Sequence, residues 1–276
     1  MLKKVFRRDF NWIFRYWWIG ALISVLTTVV ASFMLRASLG SLNSPEGSLL
    51  LPVLGILLSC AMYIAVICGY VAVWGATHYR FYRNFFTDEG YLTFTLPVKR
   101  RTLLLSKTLN SALWQVIHGA LLVLCLILAL VINLAGQSYG SSNTEALGDI
   151  IPWGWVALYL AELILITVGG AVLSTCAVEL CITVGSIIAS KHKLLVAVGI
   201  YYIGATVIST VGQAFTFLNG GTLIRGLDII TERASEGVGM MTFAIIGLWF
   251  LGAICTLAMA LYLLTQHLIE NKLNLD

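Results

Sequence analysis

Six long apolar stretches decide what this chain can fold into. A helix needs about 20 consecutive apolar residues to cross the hydrocarbon core of a bilayer, and runs of that kind occur at 17–35, 50–74, 112–134, 194–217 and 240–264. A sixth region, 153–189, is too long for one untilted span and too short for two spans and a turn at about 1.5 Å of rise per residue. It reads as one long helix, with Gly169 and Gly170 as a place to bend and the end beyond Glu179 projecting toward Lys191, His192 and Lys193. The fold class expected is therefore an all-α polytopic membrane protein with six transmembrane helices, residues 1–276 forming a single transmembrane domain.

Composition excludes the alternatives. Charged residues make up 11% of the 276, and hydrophobic residues 59%; a soluble domain carries roughly a quarter charged residues, so a soluble enzyme is ruled out. The 8 Trp, 11 Tyr and 12 Phe oppose disorder. Strands of a membrane barrel would alternate apolar and polar with a period of two, and these runs do not.

Charge placement tests the span count independently. Fourteen of the 17 Lys and Arg fall before the first run, between the second and third, between the fourth and fifth, or after the sixth. Only Arg36, Arg225 and Arg233 lie on the other side, together with Glu46, Glu145, Asp149, Asp228, Glu232 and Glu236. By the positive-inside rule both termini are expected in the cytoplasm. The net charge of +4 is thus a signal of sidedness and implies no nucleic-acid partner.

Ahead of the first span, Leu2, Phe6, Phe10, Ile13 and Trp17 repeat with helical spacing while Lys3, Lys4, Arg7, Arg8 and Arg15 take the other side. This pattern predicts an amphipathic helix over 1–16 lying in the membrane interface. No small-x-small cleavage pattern follows before Arg36, so the first span is expected to be retained. All six cysteines fall within or at the ends of apolar runs, and no C-x-x-C pair occurs, which points to packing rather than disulfide or metal work.

The most informative stretch is 78–108, HYRFYRNFFTDEGYLTFTLPVKRRTLLLSKT, the one sizeable cytoplasmic loop. It interleaves aromatic and aliphatic residues with charges, as a segment built to pack does. Asp88 and Glu89 suit the start of a short helix, Gly90 permits a tight approach, Tyr91, Leu92, Phe94 and Leu96 supply apolar knobs, and Pro97 ends the segment. The loop is read either as a docking surface for a cytoplasmic protein or as a segment folded on the membrane surface.

Phe81, Tyr82, Arg83 and Asn84, then Asp88, Glu89, Gly90, Tyr91, Leu92, Thr93, Phe94, Thr95, Leu96 and Pro97, with Ser106 and Lys107 after them, resemble the motif of bacterial ABC-transporter permeases of the type-2 exporter class. The resemblance extends loosely to the whole chain: an amphipathic elbow helix, six spans and both termini inside. It implies that this loop is a cytoplasmic coupling helix between spans 2 and 3, with Asp88, Glu89, Gly90, Tyr91 and Leu92 docking on a separate ATP-binding subunit. It also implies a second permease subunit, identical or related, and a location in the bacterial cell membrane. No G-x-x-x-x-G-K-[ST] occurs in the chain, so no cofactor is expected here, and ATP and Mg would sit on the partner ATPase.

Polar residues inside apolar spans are expensive and usually face protein or water. Glu162 is the foremost, either a pathway-lining carboxylate or an interhelical contact, with His118 as a partner within possible reach. Glu179 is expected to pair with a cation or a backbone donor. Gln115 and Gln213 are candidates for the pathway or for helix-to-helix contacts. The segment 216–239, LNGGTLIRGLDIITERASEGVG at its heart, is expected as an outer loop, re-entrant by the family resemblance or else an ordinary surface helix.

The function expected from all this is a permease subunit of an ATP-driven exporter for a hydrophobic or amphipathic substrate such as a peptide or antibiotic, and not an enzyme in itself. An intramembrane enzyme would need a nucleophile or metal motif, and no G-x-S-x-G or H-E-x-x-H occurs. A non-transporting scaffold or sensor that binds its partner through 78–108 is the alternative.

Overall fold

The computed structural model describes residues 2–42, 49–90, 95, 98–134, 153–189, 191–234 and 238–272. Six long helices account for nearly all of them: α1 Leu2–Leu42, α2 Leu50–Phe86, α3 Arg100–Leu134, α4 Trp153–Ile188, α5 Lys193–Ala234 and α6 Val238–Asn271. All six are long and apolar enough to cross a membrane, and no strand occurs among the described residues. The chain is thus an all-helical protein of the multi-pass membrane type.

Prolines mark where helices begin. Pro52 sits in the first turn of α2, and Pro97 and Pro152 lie shortly before α3 and α4, positions where a missing N–H costs nothing. Between α4 and α5 there is no proline. There the chain turns at His192, whose φ of 57° is a left-handed conformation, and the His192 carbonyl accepts from Val196 N at 3.2 Å to open α5.

Two segments expected to stand apart from the spans are continuous with them. The predicted interfacial helix over 1–16 and the first span are one uninterrupted helix, α1, about 62 Å long at 1.5 Å per residue. No proline or glycine precedes Gly20, so nothing breaks the helix at residue 16. Part of its apolar face packs on protein: Phe10 stacks on Trp114 at 4.9 Å between ring centres, and Ile13 is buried. The cations of the opposite face, Lys3, Lys4, Arg7, Arg8 and Arg15, are exposed. Likewise the segment predicted as an outer, possibly re-entrant loop over 216–239 continues α5 as far as Ala234. No proline lies between Lys193 and Ala234 to stop that helix.

The helices group into two compact units. One contains the chain up to Arg80 and the part of α3 from Leu113 onward; the other contains Phe81–Ala112 and α4 to α6. In the first, α1 and α2 run antiparallel, as shown by Asp9 meeting Arg80, Ser32 meeting Tyr63 at 2.8 Å, and Ser38 lying against Gly55. Arg36 donates to the Ile132 carbonyl at 3.2 Å, in the last turn of α3, where a cation suits the helix dipole.

In the second unit α4 and α6 run parallel and in register. Gly169 faces Leu251 and Ile254, and Gly247 faces Glu162. A Cβ on Gly185 would lie 2.8 Å from the backbone of Ala197, so glycine is what lets α5 fold back closely on α4. At the start of α3, Arg100 reaches the carbonyls of Ile269 and Glu270 at 3.5 Å, and Arg101 pairs with the Glu270 carboxylate at 2.8 Å. Cations at a helix N-terminus oppose its dipole; the C-terminal carbonyls of α6 and the Glu270 carboxylate offset that here.

Candidate functional site

The N-terminal part of α3 carries an unusual load of buried polar side chains. Ser106, Lys107, Thr108, Asn110 and Ser111 in the second unit, and Gln115 and His118 in the first, are all buried. Exposed residues in this stretch fall at Leu105, Leu109 and Leu113, a single stripe at i, i+4 spacing. Polar groups of this density are expensive inside a membrane domain and must be met by other groups.

In the second unit the meeting point is Glu179, which is 1% exposed. The Thr108 hydroxyl donates to its Oε2 at 2.6 Å, while Oε1 has no hydrogen-bond partner among the described residues. This corrects the expected cation or backbone donor: the facing residue of α3 is a threonine. Thr183 also donates to the Glu179 carbonyl, tying the side chain's own turn in place. Glu162, nearly five turns away on α4, is 8% exposed and lies directly against Gly247, with Oε1 likewise without a hydrogen-bond partner among the described residues. A side chain at Gly247 would overlap the carboxylate.

In the first unit Trp17 donates from Nε1 to Nδ1 of His118 at 2.7 Å. His118 and Glu162 belong to different units. Gln115 lies with its amide nitrogen 3.2 Å from Nε2 of His78. Asp9, fully buried, accepts from Nη2 and Nε of Arg80 at 2.8 and 3.2 Å, and the same guanidinium stacks over Trp12 at 4.3 Å. Gln213 is exposed on α5.

At the loop, α2 ends at Phe86 and a new helical turn begins at Asp88. Gly90 N donates to the Thr87 carbonyl at 2.7 Å. A Cβ at Gly90 would lie 2.8 Å from the Phe85 carbonyl oxygen, so the tight approach expected of this glycine is present. Glu89 forms an ion pair with Arg83 across the turn, and Asp88 is exposed. Tyr91 and Leu92, like Phe94, Leu96 and Pro97, lie outside the described residues. Phe81, Phe85, Leu103 and Leu104 on either side of the loop are buried almost completely, anchoring both of its ends.

The sequence alone did not single out Asp9, Arg80, Trp17 or Thr108. A hint for Asp9 was its position on the apolar face of an otherwise basic helix. Thr108 belongs to a run of small polar residues at helical spacing that continues into an apolar span. All six cysteines are free, and no group of His, Cys, Asp and Glu capable of holding a metal occurs among the described residues. Comparison with family models, with curated proteins and with solved structures found no match in any of the three.

Proposed function

We propose that this chain is the membrane-spanning permease subunit of a bacterial ATP-driven exporter, energised by a separate ATP-binding subunit. The observation that carries the reading is the segment 81–107: its residues resemble the exporter-permease motif, and it joins two membrane-type helices through a turn whose tightness depends on Gly90. Asp88, Glu89, Gly90, Tyr91 and Leu92 form the docking surface. Nucleotide-driven closure of the partner pushes on this turn, and the flanking helices α2 and α3 pass the displacement to the spans.

Two further features support the reading. Every residue of α5 from Tyr201 to Ala214 is exposed in the single chain, and Tyr202, Thr206, Ser209 and Gln213 form one stripe at i, i+4, i+7 and i+11. The Thr206 and Ser209 hydroxyls are met by carbonyls of their own helix, and the exposed Tyr202 and Gln213 between which they lie call for protein or water in a membrane; a second permease subunit supplies it, with a substrate path between the two. The cation distribution supports a cytoplasmic side for the loop and both termini, where an ATPase resides.

Tyr91→Ala and Leu92→Asp test the docking assignment. Both variants are expected to insert normally and to bind the second permease subunit, while ATP hydrolysis in the purified complex no longer responds to substrate. Full coupled activity in both would remove the docking role from this loop.

A further inference from the structure

Five cations near the start of α1, Lys3, Lys4, Arg7, Arg8 and Arg15, are exposed, and none of them forms an ion pair among the described residues. The one acid of α1, Asp9, cannot balance them: it is fully buried and committed to Arg80. At 3.6 residues per turn, Lys4, Arg8, Arg15, Trp18, Leu22 and Leu26 stand in one stripe, at i, i+4, i+11, i+14, i+18 and i+22, and all six are exposed. Lys3 and Arg7 flank it. Asp9, Ile13, Ser24 and Thr28 are buried on the side turned away.

The chemistry of the stripe changes in one direction along the helix, from cations through an aromatic ring to leucines. Exposed leucines of a spanning helix lie in hydrocarbon, where an exposed cation is costly. The edge of the hydrocarbon core therefore crosses this face of α1 between Arg15 and Trp18. The apolar run 17–35 agrees, since its length of about 28 Å is that of a core about 30 Å thick. Arg15 lies about 4.5 Å outward of Trp18, inside a headgroup layer about 5–7 Å deep. Arg7 and Arg8, about 15–17 Å outward, are within roughly one Debye length, about 8 Å, of the outer edge of that layer.

We propose that this stripe is a binding surface for anionic glycerophospholipids. The phosphodiester of the lipid sits at Arg15 in the field of Arg7 and Arg8, and its acyl chains lie along Leu22 and Leu26. A zwitterionic lipid carries its own cation beside the phosphate and gains far less from the same field, so net headgroup charge is what the stripe selects. An acidic soluble partner would meet only the cations. A lipid meets both the cations and the apolar continuation of the same face. The assignment is independent of any transport role.

The test uses the full chain in nanodiscs of mixed phosphatidylcholine and phosphatidylglycerol. Two trace photoprobes carry the same diazirine acyl chain, one with a phosphatidylglycerol headgroup and one with a phosphatidylcholine headgroup, and labelled residues are mapped by mass spectrometry. At low salt the anionic probe is expected to label 15–26 about tenfold more than the zwitterionic probe does. At about 1 M salt, where the Debye length shrinks to about 3 Å, the ratio is expected to fall below about twofold. The triple variant Arg7→Gln, Arg8→Gln, Arg15→Gln is expected to lose the preference at low salt as well. Val207 and Ile208 on the exposed α5 are expected to be labelled equally by both probes in wild type and variant, which reports normal insertion. Equal labelling of 15–26 by the two probes at low salt would assign the cations to an acidic soluble partner and overturn the proposal. A preference that survives the triple variant would overturn it too.

Discussion

The Thr108 hydroxyl lies 2.6 Å from Oε2 of Glu179 and is the donor that this fully buried carboxylate finds. It joins α3, which leads out of the proposed coupling loop, to α4. Removing the donor leaves a buried acceptor orphaned, which costs about 1–3 kcal/mol. Thr108→Val is therefore expected to lower stability by that amount, and Glu179→Gln, which keeps an acceptor for Thr108, by less than about 1 kcal/mol. Detergent-solubilised unfolding curves followed by tryptophan fluorescence decide it. Equal losses in the two variants would mean that the hydroxyl is not what holds Glu179.

Glu162 and Gly247 fit together sterically, because a Cβ at 247 would occupy the space of the carboxylate. Gly247→Ala alone should destabilise by about 1–3 kcal/mol through overpacking. Adding Glu162→Ala opens the space again, and the double variant should recover at least half of the loss. Strict additivity of the two single effects would contradict the contact.

The Asp9–Arg80 pair predicts an asymmetric outcome. Arg80→Ala leaves a buried carboxylate without its cation, a change worth about 3–5 kcal/mol. Asp9→Asn combined with Arg80→Gln removes both charges and should cost less than the single Arg80 change. The same unfolding measurement reads both, and a double variant worse than Arg80→Ala would contradict the pairing.

His192 holds the α4–α5 turn at φ 57°, a conformation glycine adopts freely and β-branched residues resist. His192→Gly is expected to leave stability unchanged or raise it by up to about 1 kcal/mol, and His192→Val to lower it by about 1–2 kcal/mol. Thermal midpoints that move in the opposite order would mean that the turn relaxes elsewhere.

Apolar runs and prolines made the helices legible in the sequence. The one long helix over 153–189 is α4, and Pro52, Pro97 and Pro152 each lie where a helix starts. Helix ends were less legible, because α1 and α5 run on through polar and amphipathic residues that contain no stop signal. The individual polar candidates were visible as residues out of place. Their partners were not: Thr108 is 71 residues from Glu179, Trp17 is 101 from His118, and Gly247 is far along the chain from Glu162. Local periodicity gives the face a residue occupies, whereas pairing depends on how helices distant in sequence set their register.

The most direct measurement is purification of the native complex from its membrane in mild detergent, with mass identification of every copurifying protein and an ATPase assay of the product. An ATP-binding subunit is expected to come with the wild-type chain, to hydrolyse ATP, and to be lost from preparations carrying Leu92→Asp. Recovery of the wild-type chain alone, without any ATPase, would contradict the permease reading.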